Sequence, residues 1–290
     1  MVEVQSQTPF LKGVSFPQLQ DVRQTKAYAK FMEKIGWKIE YSRQITIFIK
    51  KLPFLPFSVL KILRYQLPLN KKTIEKLIKK HKAVIIKKEL FAIEKQKNNQ
   101  IYFKVRPDNQ WPLTPTKTLW LNLQSSEKEL ITKMKQKTRY NLKRAVRNKL
   151  KVKIISGEKT TKKQLTDFYH LWSKNKPHNL LFKPHFHELK SLIENFSNRC
   201  FLVIIYYQSS LITCSLQLTS KNMVFYWHNG STEKGKQLFA PTLCVWKAIM
   251  ESKKRKMTVF DFEGIWDERY PKLNQGWKGF TRFKQGFVGS

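Results

Sequence analysis

Acidic residues are scarce in this chain. Only 20 Asp and Glu stand against 56 Lys and Arg in 290 residues, a formal net charge of +36. A surface this positive disfavours cationic partners and attracts polyanions, by counterion release for nucleic acid and by steering for smaller phosphates. An anionic membrane surface would attract it too, so a peripheral membrane contact is a further expectation. A lysine-rich composition in general is the plain alternative for much of the excess. Cysteine is equally rare: Cys200, Cys214 and Cys244 lie far apart with no C-x-x-C spacing, which excludes a disulfide framework and a cysteine zinc site. The longest apolar run, Phe201 to Tyr207, is too short to span a bilayer, and the opening "MVEVQSQTPF" lacks a basic segment followed by an apolar one. These absences point to a reducing cytoplasm. There is no P-loop, no G-x-G-x-x-G, no H-E-x-x-H and no G-x-S-x-G. His178, His185 and His187 fit no standard metal spacing, so they read as surface or packing histidines, and neither a metal nor a cofactor is expected.

What is present is enough apolar material for a core: hydrophobic residues make up 41% and aromatics 13%. Charge alone therefore does not argue for disorder. The length suggests two domains, placed at residues 1–118 and 119–290. "YAKFMEKI" ends a helix that Gly36 stops, and a strand "WKIEYSRQITIFIK" follows. "LPFLPF" is a proline-punctuated loop. Asn70 caps a basic helix running to His81, and strands are expected at "AVIIKKEL", "QIYFKVR" and "TLWLNL". In the second half, "TKKQLTDFYHLWSKN" and "PHFHELKSLIENF" read as helices. Residues 200–230 read as three strands with turns at Gln208–Ser210 and Ser220–Asn222; the helix "APTLCVWKAIMESKKRK" and the strand "MTVFDFEG" follow. A mixed α+β pattern thus occurs twice.

Two segments carry most of the functional signal. In "SSEKELITKMKQKTRYNLKRAVRNKL", Ser126 and Glu129 form a capping box that opens a helix. Ile131, Met134, Leu142 and Val146 keep an inward stripe, while Lys133, Lys135, Lys137, Arg139, Lys143, Arg144, Arg147 and Lys149 leave the other face wholly basic. Like charges at this spacing repel by a few tenths of a kcal/mol per pair, so such a face calls for something negative against it, a solvated face being the bland reading. The end of the chain, "GWKGFTRFKQGFVG", sets aromatics beside cations. Trp277, Phe280, Phe283 and Phe287 would also suit the inner stripe of a last helix.

"YWHNGSTEKGKQLFAPTLCVWKAI", "VFDFEGIWDERY" and "GWKGFTRFKQGFVG" resemble the second domain of the Fem-type (FemABX) peptidyltransferases, and "MKQKTRYNLKRA" resembles a basic helix at the start of that domain. "RQTKAYAKFMEKIGWKI" and "HKAVIIKKEL" resemble parts of the first domain. The resemblance implies a tandem of two GNAT-like domains. It also implies transfer of an aminoacyl group from aminoacyl-tRNA to the stem peptide of a peptidoglycan precursor, UDP-linked or lipid-linked. Phe283 and Lys284 match a Phe-Lys pair that positions the aminoacyl end and stabilises transition-state charge; Arg282 would face the RNA beside them. Arg139 and Lys143 fall in the basic helix and are expected on the RNA. Lys30 falls where the family has a precursor-binding lysine, and Lys183 near a basic position that is often Arg, whose bidentate geometry a lysine lacks. Glu89 falls where an acid often ends a strand, and would hold the attacking ammonium or take its proton. In "DFEG" the phenylalanines read as core and Asp261 as structural.

The chain departs from the family pattern where Gly-Gly becomes Glu263–Gly264, and it lacks a long helical arm. "EKGKQLFAPTL", in the place of an acetyltransferase pyrophosphate cradle, is poor in glycine and carries Phe239 and Pro241, which disfavours a coenzyme-A donor. A monomeric aminoacyltransferase is therefore expected. Its rivals are a GNAT-like N-acyltransferase using an acyl thioester and a non-catalytic RNA-binding protein.

Overall fold

The computed structural model describes residues 19–66, 68–106, 111–174 and 185–289. Helix α1 (Lys26–Lys34) opens on Thr25, whose hydroxyl accepts the Tyr28 N–H, and Gly36 (φ 85°) lets the chain turn back after it. The segment read as one strand is a hairpin, β1 (Lys38–Ser42) and β2 (Ile45–Lys51), with Arg43 at φ 57° in the turn. Strand β3 (Ser58–Tyr65) follows the "LPFLPF" loop. Helix α2 (Lys71–His81), capped by Asn70, then crosses over to β4 (Ala83–Leu90). These form a four-stranded sheet of order β1-β2-β3-β4, in which β3 and β4 are parallel.

The second sheet has eight strands in the order β5-β6-β7-β12-β11-β10-β9-β8. It begins with β5 (Ile93–Lys97), β6 (Gln100–Phe103) and β7 (Lys117–Asn122), so the chain changes sheets just after β4. Next come α3 (Glu127–Lys133), α4 (Gln136–Arg147), β8 (Lys151–Ser156), α5 (Lys162–Lys174) and α6 (Phe186–Phe196). A meander of β9 (Cys200–Tyr207), β10 (Ser210–Ser220) and β11 (Met223–Ser231) follows, with its turns where the sequence places them. The chain continues through α7 (Glu233–Gln237), α8 (Ala240–Lys254) and β12 (Val259–Gly264) to α9 (Lys278–Val288). Each sheet therefore contains the same unit: an antiparallel meander, a crossover helix, and a strand parallel to the meander's last. The units are β1-β2-β3-α2-β4 and β9-β10-β11-α8-β12.

The basic stretch after Ser126 is not one helix. The capping box forms as expected, but the helix breaks at Met134 and Lys135, both extended. The Lys135 N–H donates instead to Gly286 O of α9, at 2.9 Å, and Gly286 leaves room for Thr138, whose Oγ1 would lie 2.1 Å from an added Cβ. The break is thus made by a long-range partner. Met134 and Leu142 are buried as the stripe requires, whereas Val146 is exposed.

One apolar cluster crosses between the two halves. Leu19, Tyr28, Phe31, Phe48 and Leu63 join Phe168, Trp172, Leu192, Phe196 and Phe225 in it. Tyr28 meets Phe48 at 5.8 Å and Trp227 at 6.1 Å, edge to face. Cys200, Cys214 and Cys244 are buried in the core, and burial pushes the Cys200 and Cys244 thiols up to about 12. No helix among the described residues is long and apolar enough to cross a membrane.

Candidate active site at the end of strand β12

Strands β11 and β12 pair in parallel through Met223–Val259, Val224–Phe260 and Phe225–Asp261. Beyond these pairs β11 runs on to Ser231 with β10, while β12 stays paired with β7, with a register shift between Asp261 and Gly264. Phe260 and Phe262 anchor the strand in the core, as read from the sequence. Asp261 is buried, accepting from the Thr118 hydroxyl, from Trp120 Nε1 at 2.9 Å and from the Glu263 N–H at 2.7 Å. Burial and the neighbouring Glu263 carboxylate push its pKa up to about 7, against these hydrogen bonds.

Lys284 reaches this strand end from α9. Its ammonium is buried, donates to Gly264 O at 2.8 Å and lies 4.9 Å from the centre of the Phe280 ring. Gly264 is required by the close approach of Trp277, whose Cζ3 would stand 2.2 Å from an added Cβ. The Trp266 N–H donates to Thr281 Oγ1, fastening α9 to the segment after β12. Phe283 is half-buried, with its ring 5.4 Å from that of Phe287, and Phe287 is wholly buried. The aromatics therefore divide: Phe287 belongs to the core, while Phe280 is exposed beside Lys284. Gly276 and Gly279 have open space where a Cβ would be, so close packing does not explain them.

A line of buried charges runs from this point into the first half. Arg23 donates to Glu263 Oε2 at 2.9 Å and to Asp21 Oδ2 at 3.1 Å, and its guanidinium lies 4.7 Å from the Trp227 ring. Burial opposes its charge, but Asp21 and Glu263 outweigh it and raise its pKa. Glu263 sits at φ 58°, a conformation that glycine takes freely. The Arg23 contact offsets that cost. Arg64, also at positive φ (54°), is buried with its Nε 3.8 Å from Asp21 Oδ2, and burial lowers its pKa. It donates to Pro115 O and covers the Phe103 ring at 3.6 Å.

Glu89 lies at the far end of this line. It is the penultimate residue of β4, as Glu263 is of β12, so the repeated unit puts an acid at the same place twice. Its Oε1 accepts the Leu113 N–H, and it lines a small cavity of ≈ 20 Å³ with Arg64, Arg106 and Pro115. Pro115 also packs on Gly264, where its Cγ would meet an added Cβ at 3.0 Å. The segment Thr114–Thr116 thus lies between the Glu89 cavity and the carbonyl that holds Lys284.

The remaining candidates scatter more widely. Arg139 turns back to cap α3, donating to Thr132 O at 3.0 Å and to Met134 O. Lys143 is exposed on α4, a helix that packs on α9 through Thr138 and Gly286. Arg282 is exposed on α9, and Lys30 is exposed on α1. Lys183 and His178 lie outside the described residues. Arg23, Asp21 and Arg64 went unread. Arg23 pairs locally with Asp21, but its other partner, Glu263, stands 240 residues away, and Arg64 reaches Asp21 from β3, so the sequence does not mark them as one cluster.

Two α+β units in tandem, each ending in a strand parallel to its meander, are the GNAT-like architecture of the Fem proteins. The structure superposes on a crystal structure of FemX with TM-score 0.73 at 12% identity, over 92% of this chain and 89% of that one. It is also similar in fold to the C-terminal domain of a protein described as a putative lysylphosphatidylglycerol synthetase from Agrobacterium fabrum (TM-score 0.57, 10% identity, 92% and 85% covered). A third match is L-PGS from Bacillus licheniformis (TM-score 0.51, 12% identity, 91% and 88% covered). No curated protein matches the chain. The chain belongs to the FemAB-like family, whose description is peptidoglycan biosynthesis/recognition and whose model matches residues 25–278.

Proposed function

We propose that this protein is a tRNA-dependent aminoacyltransferase that adds an amino acid to the stem peptide of a peptidoglycan precursor. The observation that carries the reading is the buried Lys284 ammonium, fixed by Gly264 O at the strand end where β11 and β12 part. Attack of a stem-peptide amine on the aminoacyl ester forms a C–N bond and a tetrahedral oxyanion. The C–O bond to the ribose then breaks, and the amine's proton leaves for the departing 3′ oxygen. The substrate supplies the nucleophile, so no serine or cysteine is needed. The protein's part is positioning and charge stabilisation, and a fixed cation in a water-poor site stabilises the oxyanion best.

Glu89 would hold the attacking ammonium or take its proton, from the other side of Thr114–Thr116. The exposed Lys143, Arg144 and Arg147 of α4, next to α9, suit the phosphates of the RNA. The start of α8 supports an RNA-borne donor over an acyl thioester. Phe239 caps it in the left-handed conformation and Pro241 follows, leaving few backbone N–H groups to cradle a pyrophosphate.

The test is a transfer assay with mixed charged tRNAs and both UDP-linked and lipid-linked acceptors, read by mass spectrometry. Lys284→Met should cut turnover by about 10²–10³-fold with the fold intact. Turnover within a few-fold of wild type would remove the assignment. Titration with coenzyme A separates the acyl-thioester rival. RNA binding that ignores the aminoacylated 3′ end, with no transfer, would favour the non-catalytic one.

A further inference from the structure

The two repeated units differ at the connection between the last two strands of the meander. In the second unit the last two strands of the meander, β10 and β11, are joined by the tight turn Lys221–Asn222. In the first unit the equivalent strands, β2 and β3, are joined by Leu52–Phe57, "LPFLPF". The fold does not need this longer loop, and its composition is unusual for one. Phe54 is 105% exposed, so it stands clear of the protein surface; Leu55 and Phe57 are exposed as well. A bond from the Leu52 N–H to Phe57 O closes the loop at 2.9 Å, and Pro53 and Pro56 stiffen it. Phe54 is held at φ 60°, a costly conformation for a bulky residue, with its ring turned outward. Exposed Val84 and Ile85, at the start of the edge strand β4, continue the apolar surface, because β3 pairs there through Ser58–Ala83 and Val59–Ile85.

Cations surround this prong. Lys50, Lys51 and Lys82 are exposed at its base, and no acid occurs in residues 50–61 or 79–88. Glu40, on the neighbouring edge strand β1, is held by Lys80 at 2.9 Å and His81 at 3.1 Å.

We propose that Leu52–Phe57 is a membrane-insertion prong, which buries Phe54, Leu55 and Phe57 in the interfacial layer of an anionic phospholipid bilayer while Lys50, Lys51 and Lys82 contact the head groups. A stiff aromatic and aliphatic tip with a basic collar has the pattern of an interfacial anchor. A single convex loop offers far less than the about 800 Å² per partner of a stable protein interface. Glu89 lies along β4 from the prong, about 20 Å away at the usual rise per residue. On the proposed transfer reading, an acceptor presented from the bilayer must carry its amine on a long head group. This inference stands on the prong alone and does not require the transfer activity.

The test measures binding to vesicles and not catalysis. Wild-type protein should sediment with phosphatidylglycerol–phosphatidylcholine vesicles, and the double variant Phe54→Ser/Leu55→Ser should bind at least about tenfold more weakly at the same melting temperature. Because the native cysteines are buried, Phe54→Cys can be labelled selectively with an environment-sensitive fluorophore. Its emission should shift to the blue on adding these vesicles, while the same label at Lys162→Cys on α5 should not shift. Three results would overturn the proposal: no binding by wild type, equal binding by the double variant (attraction by net charge only), or an unshifted label at position 54. So would a change in oligomeric state on mutating the prong, which would assign it to a second copy of the chain.

Discussion

Replacing Arg23 with methionine is the sharpest test of how the two halves are held together. Arg23 bonds Asp21 and Glu263, and the side chains are only 9%, 3% and 15% exposed, so water cannot replace the lost cation. Breaking a buried ion pair by removing one partner typically costs about 3–5 kcal/mol, because the other charge stays buried. Arg64, 3.8 Å from Asp21, relieves part of that at Asp21, but Glu263 pairs with no such second cation among the described residues. Loss of the stacking on Trp227 adds about 0.5–2 kcal/mol. With the relief from Arg64 set against the lost stacking, Arg23→Met should destabilise by about 3–5 kcal/mol, a large share of an ordinary domain's about 5–15 kcal/mol. Urea unfolding of Arg23→Met, Glu263→Gln and the double variant measures the coupling. The double variant should recover about 2 kcal/mol relative to the sum of the single ones. A coupling near zero, or an Arg23→Met cost below about 1 kcal/mol, would refute the claim that this contact ties the halves.

Two further predictions concern β12. Asp261 has its pKa raised from an ordinary 3.8 to about 7, so the folded state holds a proton that the unfolded state releases, and this group's contribution to stability falls as pH rises through that window. Asp261→Asn should remove that part of the slope, at most about 1.4 kcal/mol per pH unit, in urea midpoints measured across the window; identical slopes in the two proteins would refute it. Gly264→Ala would force the Trp277 indole aside and should cost about 1–3 kcal/mol, with changed tryptophan fluorescence and weakened transfer; an unchanged spectrum and melting point would count against the packing described.

Where local signals governed, the sequence was informative. Asn70 and Ser126 each cap a helix through a side-chain oxygen, and the meander of β9, β10 and β11 has both its turns as read. Strand β3 went unread because "SVLKILRY" sits directly against a proline-rich loop, and the hairpin turn at Arg43 has no glycine to announce it. The break at Met134–Lys135 depends on Gly286, far along the chain. At the site, the Phe-Lys pair pointed to α9, but that Lys284 is buried against Gly264 O rather than turned outward follows only from the fold. The Arg23–Glu263 contact had no local trace at all.

Because Tyr28, Phe48 and Leu63 share their packing with Phe168, Trp172 and Phe225, no lubricated plane separates the halves. Swinging one away from the other would wet all of these side chains at about 25 cal/mol per Å². A clamshell motion is therefore closed to this molecule. If the protein joins two bulky reactants as proposed, it is surface loops, and not a hinge between the halves, that must yield to admit them.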